Sequence, residues 1–291
     1  MSSPLVSVII PVWNGRDVIG RCLTALRRQS LPREQFEVIV VDNGSTDATV
    51  DIARSFEGVE VLVERRPGSY AARNLGLGRA CGRFVAFTDA DCRPDPHWLK
   101  RALEAAVRYP DAGVLAGHID LFDEGRGTSA LFFEYERLFS FPQSFAARGN
   151  CATANWMSPR EIFAELGGFD ERLKSGGDRE MALRIRDAGY ALAYVPGMVV
   201  SHPVRATRAD LVLKRKRLSG GRWDRTKPAG RLARVLGITF YDTARRLRRV
   251  WKTPDVPVRR KVALSRLTID LSVVATREFW KLSRGHRSAR Q

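Results

Sequence analysis

Val6-Ser7-Val8-Ile9-Ile10-Pro11-Val12-Trp13-Asn14-Gly15 decides the reading of the fold. The run Val6 to Val12 is apolar and rich in β-branched residues, which suits a buried strand, and Trp13-Asn14-Gly15 ends it as a turn. Moving outward, Val18 to Arg28 has helical spacing through Ile19, Cys22, Leu23 and Leu26. Phe36–Val41 is a second apolar run, followed by the turn Asp42-Asn43-Gly44-Ser45. Asp47 to Phe56 repeats the helical pattern, Val59–Val63 reads as a strand, Ala71 to Ala80 as a helix, and Arg83–Thr88 as a strand ending at Asp89. Strands alternating with helices predict an α/β fold with a mostly parallel, doubly wound sheet. Ligands of such sheets collect outside the carboxyl ends of the strands. Three polar clusters fall there: Trp13-Asn14-Gly15, Asp42-Asn43-Gly44-Ser45 and Asp89-Ala90-Asp91.

Beyond Gly113 the pattern is mixed. Val114–Leu121 reads as a strand, Ala130–Phe141 as an aromatic amphipathic stretch, Pro159–Leu166 and Glu180–Gly189 as helices, and Leu192–Val195 as a strand. With 291 residues, 44% of them hydrophobic and 28% charged, the chain is an ordinary folded protein. Its four cysteines (Cys22, Cys81, Cys92, Cys151) form no CxxC pair, so reduced thiols in a cytosolic setting are expected rather than a zinc site. The first residues lack the features of a signal peptide. The best candidate for a membrane span, Val262 to Leu282, is broken by Arg266, Asp270, Arg277 and Glu278.

The net charge of +17 is uneven: residues 203–291 carry 25 Lys/Arg against 6 Asp/Glu, and residues 1–202 carry 24 against 26. A near-neutral body with a basic appendage suggests attraction to a polyanion. Arg231 to Trp251 places Leu232, Val235, Leu236, Phe240, Leu247, Val250 and Trp251 on one side of a helix and most arginines on the other. That suits either an interfacial helix on anionic lipid, at the inner face of the cell membrane, or a helix docked on the body. No zinc-finger or RNA-recognition signature is present, so nucleic acid is not an expected partner.

Asp89 and Asp91 offer hard carboxylate oxygens, which suit Mg²⁺ or Mn²⁺ at a diphosphate. At this point a family resemblance enters. Val6 to Gly15, Val40-Val41-Asp42-Asn43-Gly44-Ser45-Thr46-Asp47, Ala72-Arg73-Asn74-Leu75-Gly76 and Phe87-Thr88-Asp89-Ala90-Asp91 resemble, in order, four signatures of family-two glycosyltransferases. The resemblance runs to about His202 and implies the GT-A fold and inverting transfer of a sugar from a nucleotide-diphosphate donor, UDP-linked by preference. It implies that Pro11, Val12 and Trp13 line the nucleotide site, that Asp42 holds the base and Arg73 the nucleoside. Asp89-Ala90-Asp91 would sit on the diphosphate and metal, with His202 a further ligand. Read from its residue type alone, Trp13 either stacks on the base or packs in the core, and His202 is either a ligand or a hydrogen-bonded strand-end side chain.

Gly176-Gly177-Asp178-Arg179-Glu180 is similar to the family's acidic acceptor-side motif, with Gly177 where Glu is usual. By that likeness Asp178 is the general base, Glu180 the alternative, and both could equally cap a helix. Asn150, Asn155 and Trp156 resemble the segment that shapes the acceptor pocket. Ser219-Gly220-Gly221-Arg222-Trp223 partly resembles the QxxRW motif of processive synthases with Ser219 replacing Gln, so single addition is expected, with Trp223 a stacking surface for an acceptor sugar. The expected organisation is a nucleotide-sugar-binding half (1–112), an acceptor-side half (113–204) and a basic, mainly helical extension (205–291). A lipid-linked or cell-envelope glycan is the expected acceptor. The alternative is a non-catalytic nucleotide-sugar-binding or scaffold protein on the same fold, for which Gly177 is the support.

Overall fold

The computed structural model describes residues 3–125, 127–141 and 143–286; the end of the expected basic extension, 287–291, lies outside them. The chain divides into two compact units. The first comprises the chain up to Phe122 together with Phe141–Glu171 and Gly177–Pro203. In chain order its first half is β1 (Val6–Val12), α1 (Ile19–Arg27), β2 (Phe36–Asp42), α2 (Thr49–Arg54), β3 (Val59–Val63), α3 (Ser69–Arg79), β4 (Phe84–Phe87), the two-residue β5 (Arg93–Pro94), α4 (Trp98–Arg108) and β6 (Ala112–Phe122). The helix α5 (Ala130–Phe139) belongs to the second unit. The first unit resumes with β7 (Trp156–Pro159), α6 (Arg160–Leu166), α7 (Gly177–Asp187) and β8 (Ala191–Pro203).

The strands form one sheet in the order β3-β2-β1-β4-β7-β6-β8-β5. The half β3-β2-β1-β4 is parallel, as the alternating pattern predicts. Beyond it β7 runs antiparallel to both β4 and β6, and β5 antiparallel to β8, so the sheet is mixed. Trp156-Met157-Ser158-Pro159 is too short for periodicity to announce a strand, which is why the sequence hides this insertion. The strand expected at Leu192–Val195 is part of the longer β8, which runs on to Pro203. The amphipathic α4 buries Trp98, Leu99, Ala102 and Ala105.

Every residue of β1 is buried, because helices cover both faces of the sheet. Val8, Ile10 and Val40 point into a core shared with Leu23 and Leu26 of α1 and Trp98 and Leu99 of α4. On the other face α3 lies tight against β1 and β2: a Cβ at Gly76 would stand 2.6 Å from Ile9 Cγ2 and 3.3 Å from Val41 Cγ2, so only glycine permits this approach. Phe169 organises the aromatic core on that face, with ring centroids 5.4 Å from Phe87, 5.6 Å from Tyr70 and 5.7 Å from Phe163.

The second unit packs α10 (Val258–Ser283) against α5, α8 (Arg208–Arg225) and α9 (Arg231–Lys252). Thr207 and Asp210 form a reciprocal capping box that starts α8. Gly221 admits the Arg172–Gly176 segment to α8, since a Cβ there would overlap Ser175. Fully buried Glu136 of α5 accepts from Arg205 at 2.8 Å and from Lys214 at 2.9 Å. The wheel of α9 turns out differently from the sequence expectation: Val235, Thr239 and Val250 are buried, while Phe240 and Trp251 are exposed. Among the described residues no helix is long and apolar enough to cross a membrane.

Candidate active site

The carboxyl ends of β1, β2 and β4 bring the first three polar clusters to one edge. At β2, the Asp42 side chain is buried and turns back on its own loop, accepting from the backbone N–H groups of Gly44 and Ser45, each at 3.1 Å to Oδ2. Asn43 ties that loop to the β3–α3 connection, donating to Glu64 O and Arg66 O and accepting from Gly68 N. Asn14, at φ +47°, links the β1 loop to the β2 loop through Ser45 and Thr46. Pro11 and Val12 are buried beneath, and Trp13 stands out from the edge at 47% exposure.

Asp89 and Asp91 follow β4. With Cys92 and His202 they form a cluster whose candidate ligand atoms all lie within 4.8 Å of one another. Arg73, from the first turns of α3, donates through one guanidinium nitrogen to Asp89 Oδ1 at 2.6 Å. It is buried, and its Nε has no hydrogen-bond partner among the described residues. The buried His202, from the end of β8, uses Nδ1 against the Pro203 carbonyl at 2.7 Å. A carbonyl only accepts, so Nδ1 carries a proton, and Nε2 is the ring nitrogen turned to Asp91 Oδ2, 3.8 Å away. An imidazole anchored in this way through Nδ1 presents Nε2 to a metal ion. Two carboxylates and an imidazole fit a divalent ion such as Mn²⁺ or Mg²⁺. Cys92 is the member that spacing did not nominate, although it directly follows Asp91. Burial first, then the charges of Asp91 and Asp89, push its thiol well above the ordinary cysteine range, and the same causes act on Cys22 beneath.

The acidic motif opens α7. Asp178 Oδ1 accepts from the Tyr70 hydroxyl at 2.9 Å, and Oδ2 from the Thr153 backbone N–H at 3.2 Å. The Gly177 N–H in turn donates to the Tyr70 oxygen at 2.8 Å. A Cβ at Gly177 would stand 2.7 Å from Tyr70 Cζ, so the ring occupies the space that a larger residue would need. Glu180 is placed differently: it pairs with Arg184 on its own helix at 3.2 Å. Asn150 accepts from Arg179 of α7 at 3.2 Å.

Asn155 and Trp156 lie in the core. Asn155 is fully buried, accepts from Trp98 Nε1 at 2.8 Å and donates to the His118 and Met198 carbonyls. Trp156 is fully buried and donates to Ser158 Oγ at 2.7 Å. Their polar groups are spent on holding β6, β7 and β8 together. Trp223 lies in the second unit, stacked on Phe279 with centroids 6.3 Å apart and with Arg231 over its ring. Its ring meets protein side chains there. Nothing in the sequence singles out Tyr70, because an aromatic three residues before Arg73 reads as ordinary helix packing.

The profile described as Glycosyl transferase family 2 matches residues 7–167. Glycosyltransferase AglE of Haloferax volcanii is 35% identical over 223 residues, which cover 75% of this chain and 73% of that protein. The pre-mycofactocin glycosyltransferase of Mycobacterium tuberculosis is 31% identical over 225 residues, covering 74% of this chain and 46% of its own length; the chain thus spans under half of that relative. Among solved structures, S. aureus TarS 1–349 in complex with UDP superposes with a TM-score of 0.57 at 18% identity over 97% of this chain and 92% of that one. The mannosyltransferase PcManGT from Pyrobaculum calidifontis, in complex with GDP-Man and Mn²⁺, gives 0.60 at 21% over 98% and 77%. The two structures share the GT-A fold. With the profile and the AglE likeness both spanning more than half its length, the chain is a glycosyltransferase and belongs to glycosyl transferase family 2.

Proposed function

We propose that this glycosyltransferase moves a sugar from a nucleotide-diphosphate donor, UDP-linked by preference, to an acceptor hydroxyl with inversion, and that the acceptor is a lipid-linked or cell-envelope glycan. The observation that carries the reading is the gathering of Asp89, Asp91 and His202 into one ligand cluster at the strand ends. Asp178 is tied to α3, the helix that also holds Asp89 through Arg73. Asp42 and the exposed face of Trp13 suit a nucleobase, and the unpaired Nε–H of Arg73 suits an oxygen of the donor. Asp89, Asp91 and His202 would hold Mn²⁺ or Mg²⁺, which when bound offsets the charge of the diphosphate.

Asp178 is the base. Its carboxylate takes the proton of the acceptor hydroxyl as that oxygen bonds to the anomeric carbon; the bond from that carbon to the diphosphate oxygen breaks, and its electron pair leaves with the nucleotide. A single displacement of this kind inverts the centre and uses no protein nucleophile. Glu180, turned along α7 by Arg184, is less suited to the role. Gly177, on which the binding-only alternative rests, is filled by the Tyr70 ring and leaves Asp178 in place, so the geometry favours catalysis. The test is transfer or hydrolysis of UDP-glucose, UDP-N-acetylglucosamine and GDP-mannose by wild type and Asp178→Asn with Mn²⁺; equal rates would sink the catalytic reading.

The expected boundaries, a donor half at 1–112, an acceptor half at 113–204 and a basic extension from 205, are carried into this proposal. In the extension, α9 exposes Phe240, Tyr241 and Trp251 beside Arg234, Arg245, Arg248 and Lys252, an aromatic and cationic face suited to anionic lipid. That face supports a peripheral place at the cytoplasmic membrane surface. Flotation with phosphatidylglycerol vesicles, but not phosphatidylcholine ones, and its loss in Arg245→Glu/Arg248→Glu, is the expected result; equal flotation of the variant argues against it.

A further inference from the structure

Tyr70 and Arg73 lie three residues apart, on one face of α3. Each reaches a different carboxylate: Arg73 holds Asp89 at 2.6 Å, and the Tyr70 hydroxyl holds Asp178 at 2.9 Å. The hydroxyl is a relay with both roles assigned by its neighbours. The Gly177 amide can only donate, so the Tyr70 oxygen accepts from it, and the Tyr70 proton is directed to Asp178 Oδ1. The ring is buried, stacked on Phe169 at 5.6 Å, and locked against the glycine whose missing Cβ makes room for it. Asp178 is then fixed from two sides, by this phenol on one oxygen and by the Thr153 N–H on the other. A short carboxylate at a helix start would otherwise turn inward to cap its own backbone N–H groups.

We propose that Tyr70 is a positioning residue of the transfer reaction: its hydroxyl, oriented by the Gly177 amide, aims the Asp178 carboxylate at the acceptor hydroxyl and couples that base to the donor-side carboxylate through α3. This rests on the reading of Asp178 as the base. Tyr70 acts on the proton-accepting step through Asp178. Because Tyr70→Phe keeps the ring and its packing on Phe169, it removes the aim and leaves the fold.

The experiment compares wild type, Tyr70→Phe and Asp178→Asn as full chains, with UDP-glucose, UDP-N-acetylglucosamine and GDP-mannose as donor probes, Mn²⁺ present and water as acceptor. Tyr70→Phe should keep the melting temperature and the calorimetric affinity for UDP with Mn²⁺, yet lower kcat for nucleotide release about 10- to 100-fold, the scale of one hydrogen bond to a charged group. In crystals of Tyr70→Phe soaked with UDP and Mn²⁺ the Asp178 carboxylate should leave the Thr153 N–H. If Tyr70→Phe turns over at the wild-type rate while Asp178→Asn is inactive, the positioning role is overturned and the base reading stands. If Asp178→Asn is as active as wild type, the base reading falls and takes this inference with it. Parallel losses of melting temperature, UDP affinity and kcat in Tyr70→Phe would make the residue a structural prop and overturn the proposal. Should none of the three donors turn over, the crystals decide alone, and an unmoved Asp178 overturns it.

Discussion

Two carboxylates in this chain are held by cations in opposite senses. In the sheet unit the cation is buried and the acid is open: the Arg73 side chain is 5% exposed and that of Asp89 35%. In the helical unit the acid is buried and the cations are the more open partners: Glu136 is 1% exposed, Arg205 23% and Lys214 19%. A carboxylate presented to solvent on a buried guanidinium keeps oxygen lone pairs for a ligand. One sunk beneath two cations and Ser140 has spent them on the protein. The first arrangement therefore suits chemistry, and the second fastens α5 to α8. Burial pulls the Glu136 pKa up, but the charges of Lys214 and Arg205 with the hydrogen bonds from Lys214 and Ser140 outweigh it and bring it to about 2.

The contrast can be broken most sharply at the open end. Asp91→Asn should lower transfer about 10³-fold and abolish Mn²⁺-dependent thermal stabilisation by UDP, with an unchanged melting temperature in the absence of both. A folded, fully active Asp91→Asn would remove the strand-end cluster from the chemistry. At the closed end Glu136→Gln should do the reverse, costing about 3–5 kcal/mol in urea unfolding, because two cations lose a buried partner. The same residue fixes a pH dependence. Its folded pKa is depressed from 4.5 to about 2, so its contribution is complete above about pH 4.5 and disappears as pH falls through about 2. Subtracting the Glu136→Gln stability curve from that of wild type should isolate this window; a flat difference would mean the cations do not hold Glu136 ionised.

A smaller cost is expected for Gly177→Ala. Its new Cβ would stand 2.7–3.0 Å from three atoms of the Tyr70 ring, and overpacking of that kind costs about 1–3 kcal/mol. Measured by thermal unfolding, a neutral Gly177→Ala would show that the Tyr70 ring yields easily. An effect of similar size, on binding instead of stability, is expected at Trp13→Ala. An exposed ring stacking on a base contributes about 1–3 kcal/mol, so UDP should bind at least about 5-fold more weakly by calorimetry while stability is unaffected. Unchanged affinity would take Trp13 off the nucleotide site.

Much of the sheet unit was legible in the order of the residues. Buried strands of β-branched residues and amphipathic helices repeat at local spacings of two and 3.6, so β1 to β4 and α1 to α3 announce themselves. The ends of those strands then place Trp13, Asp42, Asp89 and Asp91 at one edge, since a parallel sheet has only one such edge. The strand β7 was not legible: four residues carry too little periodicity, and its antiparallel direction comes from pairing with β4 and β6 rather than from its own side chains. That pairing is also why Asn155 and Trp156, polar and aromatic in a loop-like stretch, end in the core.

Sequence alone thus determined the alternation of elements, the strand-end carboxylates and the excess of positive charge in the last third, because each is a property of neighbours along the chain. Only the folded structure decided that His202, over a hundred residues from Asp91, turns its Nε2 to it, that Cys92 joins their cluster, and that Tyr70 claims the space beside Gly177 and grips Asp178. Those contacts join segments far apart in the chain, and their geometry is fixed by how α3, α7 and β8 pack on the sheet, which no local pattern encodes.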